Sequence, residues 1–155
     1  MRRAKPEKRE LSPDVRYNSV NLQTLMQHVL KQGKRSLAAR LVYDALDLVN
    51  ERTGKNAIDV FDLALKNVSP VMEVRPRRVG GATYQVPMEV SVERRLTLAI
   101  RWILSATRER AGKSFPDKLA SELIDASNET GAAIRKRDET HKMAEANRAF
   151  SHYRV

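Results

Sequence analysis

The chain contains no cysteine. That excludes disulfides, thiolate metal sites and cysteine nucleophiles. No apolar run approaches the length of a membrane span. The N-terminal "MRRAKPEKRELSPD" is charged with no apolar segment behind it, so it does not read as a secretory signal. Histidine is scarce: His28, His141 and His152 only. None has metal-ligand spacing to a carboxylate or another histidine, and "ETHKMAE" is not His-Glu-x-x-His. Gly-x-Ser-x-Gly is missing. "AGKS" (Ala111–Ser114) copies the tail of a phosphate loop, but the required earlier glycine is Thr107 and a helix is expected before it instead of a strand. "QGKRS" at 32–36 fails on similar grounds. The expectation is therefore no enzyme, no metal and no cofactor.

Positive charge is what the chain has in excess. Lys and Arg number 29 against 19 Asp and Glu, a formal net charge of +10. Folding gains nothing from this imbalance, so it points to a polyanionic partner. No strongly amphipathic basic helix with large apolar anchors is evident, which favours nucleic acid over a membrane. The charge is clustered. Residues 31–40 hold Lys31, Lys34, Arg35 and Arg40 with no acid, and residues 74–88 hold Arg75, Arg77 and Arg78 with no acid. By contrast, Asp44, Asp47, Glu51, Asp59 and Asp62 crowd residues 44–62.

With 41% hydrophobic residues the chain can bury one core. Residues 1–17 read as a flexible basic arm, bearing Arg2, Arg3, Lys5, Lys8 and Arg9. Residues 18–155 read as a single helical domain. Six helices are expected. The first is capped at Asn18 or Ser19 and stopped by Gly33. The second runs over 36–52, with Leu37, Leu41, Val42, Ala45, Leu48 and Val49 inward. The third starts at Asn56 and buries Ile58, Phe61, Leu65 and Val68. The fourth starts at a Ser91 cap, ends at Gly112, and is apolar on nearly every side over 96–104, so a central position with Trp102 in the core is expected. The fifth opens at Ser114 with Pro116 in its first turn, and points Leu119, Leu123 and Ile124 inward. The sixth spans 132–152 with a thin apolar side, suited to a surface position against another macromolecule.

Between the third and fourth helices, "MEVRPRRVGGATYQVPMEV" (72–90) reads as a β-hairpin. A three-residue turn, Gly80-Gly81-Ala82, pairs Val79 with Thr83. It sets Met72, Val74 and Pro76 against Val90, Met88 and Val86, an apolar match that a two-residue turn loses. Pro76 and Pro87 remove backbone donors and argue against a third strand. The base should anchor on the helices while the tip projects Arg77, Arg78 and Tyr84, groups that fork onto phosphate and stack on bases. A helical DNA-binding regulator is the alternative reading, weakened because no recognition helix of base-reading side chains is apparent.

Four blocks, "GKRSLAARLVYDALDLVNERTG", "FDLALKNVSPVMEVRPRRVGGATYQVPMEV", "RRLTLAIRWIL" and "TGAAIRKRDETHKMAEANRAFSHYR", resemble consecutive signatures of the bacterial small-subunit ribosomal protein seven family. The resemblance covers almost the whole chain. Departures are small: the acid order in "RKRDETHK", and Ser151 where alanine is usual. The resemblance implies a mainly α, six-helix domain with a protruding β-ribbon. It implies a primary binder of the 3′ major domain of 16S rRNA that nucleates head assembly, in the cytoplasmic ribosome. It also implies a place near the E site, facing E-site tRNA and the mRNA exit path, with proteins numbered nine and eleven as neighbours. Carried onto this chain, rRNA contacts fall to Lys34, Arg35, Arg75, Arg77, Arg78, Arg94 and Arg95, beside the N-terminal bases taken from charge alone. The tRNA side takes Arg78, Gly80, Gly81, Tyr84, Arg135, Lys136, Arg137, His141 and Lys142.

Overall fold

A computed structural model describes residues 10–153. In chain order it comprises α1 (Val20–Val29), α2 (Arg35–Thr53), α3 (Ala57–Val68), β1 (Met72–Val79), β2 (Ala82–Glu89), α4 (Val92–Glu109), α5 (Phe115–Ser127), α6 (Ala132–Ala146) and a 3-10 helix (Arg148–Tyr153). The mainly α fold with a two-stranded hairpin between α3 and α4 matches the expectation from sequence.

The helix starts follow from side-chain caps. Ser19, Asn56 and Ser114 each accept from a backbone N–H in the first turn, satisfying donors that the helix leaves unpaired. Ser91 makes no such bond, against expectation. The glycines expected to stop α1 and α4 lie beyond their ends, which are closed at Leu30 and Arg110.

α5 packs on α2, α3 and α4, and α4 also meets α1, α3 and α6. Their shared interior is aliphatic around Phe61, Leu46, Ile100, Ile103, Leu119 and Leu123. Five expected inward residues sit differently: Leu37 is exposed, Leu41, Leu48, Ile58 and Ile124 are half-buried, and Leu46, Val60 and Ala64 point into the core. α4 is also less enclosed than its sequence suggests. Its inner side is Leu98, Ala99, Ile100, Ile103 and Leu104, while Arg101, Ser105 and Arg108 are exposed and Trp102 packs half-buried at the edge of the core.

Polar clasps close the interior. Asn67 of α3 donates to the Ala126 and Ser127 carbonyls at the end of α5, both at 3.0 Å. Buried Glu122 accepts from the Ala133 N–H at 3.0 Å and from Arg110 at 2.8 Å, so one carboxylate caps α6 and anchors the α4–α5 connection. Arg110 also pairs with Asp125. Gly131 passes this carboxylate at a φ of 97°, where a Cβ would lie 3.1 Å from Glu122 Oε1. Only glycine fits both constraints.

Residues 14–17, expected within the flexible arm, fold back onto α2. Asp14 is buried and accepts from the Tyr43 hydroxyl at 2.5 Å. Desolvation and that hydrogen bond push the Tyr43 phenol up to about 12. Arg16 lies over the Tyr17 and Tyr43 rings and pairs with Asp47 at 2.7 Å.

The ribbon register corrects the three-residue turn. Val79 pairs with Ala82, and Gly80-Gly81 alone make the turn, with φ of 58° and 89°. Two positive φ values are what a type I′ hairpin needs, and its twist matches the strands. Arg75 therefore faces Val86, and Glu73 faces Met88. The lost apolar match is offset because Glu73, the polar member of that face, finds cations of its own. The expected long sixth helix is also interrupted. α6 ends at Ala146, Asn147 turns its side chain onto the Met143 carbonyl at 2.8 Å, and the chain continues as a 3-10 helix against β2.

Candidate nucleic-acid interface

The sequence marks basic residues, and the structure divides them into two groups. One group is held by internal acids and carbonyls. Glu73 is nearly buried and accepts from Arg75 Nε at 2.6 Å and Arg94 Nε at 2.8 Å. Burial pushes its carboxyl up, but the hydrogen bonds from Arg94 and Arg75 outweigh burial and hold it below the usual carboxylate range. This triad fastens β1 to the first turn of α4. In both arginines Nε is the donor and the side chain stays nearly half exposed. Arg95 donates to the Val90 carbonyl at 2.9 Å and pairs with Glu89 at 3.4 Å. Arg137 reaches the Asn67 carbonyl at 2.5 Å and Asp138 at 2.7 Å, tying α6 to α3.

Two further residues expected on the tRNA side serve the fold. His141 Nε2 accepts from the Val71 N–H at 3.1 Å, at the entry to β1. That bond needs a neutral ring with its proton on Nδ1. Tyr84 does not project alone. Its ring lies 5.3 Å from Phe150 and 5.1 Å from Tyr153, stacked on the latter. The C-terminal 3-10 helix thereby buttresses a ribbon that would be marginal by itself. Lys136 pairs with Glu139 in an exposed contact, which contributes little.

The other group makes no ion pair among the described residues: Lys34, Arg35, Arg77, Arg78, Arg135 and Lys142. All six are exposed. Gly80 and Gly81 form the exposed tip beside Arg77 and Arg78, with nothing near the position of a Cβ. Arg2, Arg3, Lys5, Lys8 and Arg9 lie outside the described residues.

Sequence reasoning missed a row that joins these parts. Arg94, Arg101 and Arg108 are seven residues apart on α4, and all three are exposed. Seven residues return to nearly the same helix face. The row runs about 21 Å from the ribbon base to the α1–α2 turn. At its far end Arg108 shares one hollow with Lys31 and Lys34. Midway, His28 of α1 joins Arg101 and Arg108 around another, which Glu109 also lines while accepting from Ser105 at 3.0 Å. The signal was visible as three arginines at constant spacing, but the apolar "LTLAIRWIL" drew the reading toward burial. The ribbon base, through Arg75 and Arg94 on Glu73, the α4 row and the 31–35 turn line up cations of the kind that can neutralise phosphates. Among the described residues no group of three or more His, Asp or Glu is placed to hold a metal ion. No described helix is long and apolar enough to cross a membrane.

Comparison with known proteins decides the family. The family model described as ribosomal protein S7p/S5e matches residues 1–148. The chain belongs to the ribosomal protein S7p/S5e family. It is 58% identical over 153 residues to small ribosomal subunit protein uS7 of Thermomicrobium roseum, covering 99% of this chain and 98% of that one. The protein of the same name from Thermosynechococcus vestitus is 57% identical over 153 residues, again covering 99% and 98%. That of Caldanaerobacter subterraneus is 58% identical over 147 residues, covering 95% and 94%. S7p/S5e is a family of ribosomal proteins and not of enzymes.

Proposed function

We propose that this chain is a structural protein of the small ribosomal subunit that binds the 3′ major domain of 16S rRNA directly and nucleates assembly of the head. The observation that carries the reading is the Arg94–Arg101–Arg108 row, continuous with the ribbon at one end and with Lys31 and Lys34 at the other. A rigid helix holding arginines in line suits a folded RNA backbone, and a narrow ribbon suits a crevice between RNA helices. The organisation is a basic N-terminal arm that joins the folded part at residues 14–17 and leads into one RNA-binding domain over 18–155. Arg78, Gly80 and Gly81 at the ribbon tip, with Arg135 and Lys142 on α6, face the E-site tRNA and the mRNA exit path. The head protein numbered nine and the platform protein numbered eleven are neighbours, and the place of work is the cytoplasmic ribosome. The names and high identity of the relatives support the ribosomal part of this reading.

The test is binding of the pure protein to transcripts of separate 16S rRNA domains at moderate salt. Selective affinity for the 3′ major domain, falling steeply with salt, is the expected result. Equal affinity for that domain and for random RNA of the same length would refute it.

A further inference from the structure

The C-terminal 3-10 helix, Arg148–Tyr153, is fastened to the ribbon by its rings alone. None of its residues is buried. It packs on β2 and on the end of α6. Among the described residues, no hydrogen bond or ion pair ties it to the ribbon. Its sequence, "RAFSHY", has no acid to set against Arg77 or Arg78. What holds it is Tyr84, whose ring meets Phe150 at 5.3 Å and stacks on Tyr153 at 5.1 Å. Elsewhere the segment borders a hollow of about 550 Å³ instead of filling it. Val71 and Pro87 at the ribbon base, His141 and Ala144 of α6, and Arg148 and Ser151 of the segment line that space. A segment with so little burial and only local hydrogen bonds opens at low cost. Asn147 is the place to bend. Its N–H and its side chain both bond back to the Met143 carbonyl, so the chain beyond can swing without unwinding α6.

Tyr84 stands directly across the ribbon from Arg77, so the two side chains share a face. Arg77 is exposed and makes no ion pair among the described residues. A ring beside an exposed guanidinium suits a base and its phosphate. In this structure Tyr153 and Phe150 cover that ring. Building on the RNA-binding reading above, we infer that the 3-10 helix is an autoinhibitory strap, which covers Tyr84 until single-stranded RNA displaces it and stacks a base on the ring. Ring on ring and base on ring are contacts of the same order of strength, so the exchange is close to balanced.

The test uses the full chain and decauridylate, a single strand without stable secondary structure, at low salt. The double variant Phe150→Leu, Tyr153→Leu removes the competing rings and leaves Tyr84 open. The expected result is affinity for decauridylate raised roughly 3- to 10-fold over wild type, because the competent state is no longer withheld. In a Tyr84→Leu background the same two changes should alter affinity less than about 2-fold. A loss of affinity, no change, or an equal gain in both backgrounds overturns the strap. Amide exchange in the wild-type chain gives a readout that needs no variant to fold. Adding decauridylate should speed exchange across residues 148–153, and slowed or unchanged exchange there contradicts displacement. If these results fail while wild type still selects the 3′ major domain, only the strap falls. If wild type and variant bind neither RNA, the underlying reading falls with it.

Discussion

The base and tip of the ribbon come from one acid-poor stretch of sequence, yet they do different work. At the base, Arg75 is committed to Glu73, which also draws in Arg94 from α4. Val86 on the same face is fully buried. Two residues further along β1, Arg77 and Arg78 are exposed and without an ion pair among the described residues. Positive charge alone therefore does not tell a side chain held within the fold from one left open to a partner; the difference is whether an internal acceptor engages the guanidinium. The same division runs through the C-terminal part, where Arg137 is tied to Asn67 and Asp138 while Arg135 stays exposed and unpaired among the described residues.

The largest effect is expected where this division is erased on the unpaired side. Replacing Arg77, Arg78, Arg101 and Arg108 together by alanine should lower affinity for the 3′ major domain by roughly 10²–10³-fold near 0.1 M salt. The melting temperature should stay within about 1–2 °C of wild type, since exposed substitutions change stability little. Filter binding and thermal unfolding on one preparation check both halves.

On the paired side, Glu73→Gln should reverse the pattern. It removes charge-assisted hydrogen bonds to two half-exposed arginines, at a cost of about 1–2 kcal/mol. Denaturant unfolding should show that loss, while the salt dependence of RNA binding changes little. Acid sharpens the same point. The Glu73 carboxyl in the folded chain titrates below its unfolded value. Its contribution is therefore complete above the unfolded value, about 4.3, and is lost as pH falls through the folded one. The stability gap between wild type and Glu73→Gln should be full at pH 6 and narrow steadily below about pH 4. A gap independent of pH would place the effect elsewhere than in the carboxylate.

The smallest effect concerns the buttress between the two regions. Tyr153→Ala removes a ring stacked on Tyr84 and should cost about 0.5–1.5 kcal/mol. Amide exchange in β1 and β2 should accelerate while α3 and α5 keep their protection. Unchanged exchange in the strands would mean that the ribbon holds itself.

Much of the fold was legible because its determinants are local. Ser19, Asn56 and Ser114 sit just ahead of apolar periods, and each does cap its helix. Phe61, Leu65, Leu119 and Leu123 lie where their helical spacing puts them. The hairpin was legible from its glycines and prolines, but its register was not. Apolar matching argued for three turn residues, whereas the backbone preference of Gly80-Gly81 argued for two, and a partner 21 residues away made the shorter turn affordable. The site was harder for the same reason. Arg137 meets Asn67, and His141 meets Val71, each across 70 residues. No local pattern reveals such partners, so these side chains look free in the sequence. The Arg94, Arg101 and Arg108 spacing was local and readable, but it was masked by the apolar residues between them.

The central claim is that the exposed arginine row on α4 contacts phosphates, with Arg101 and Arg108 its members that make no ion pair among the described residues. The most direct measurement is the slope of log affinity against log salt for the 3′ major domain, wild type beside the Arg101→Ala, Arg108→Ala double variant. The account predicts a slope shallower by about 2, close to one per arginine, with unfolding unchanged. Parallel lines for the two proteins would contradict it.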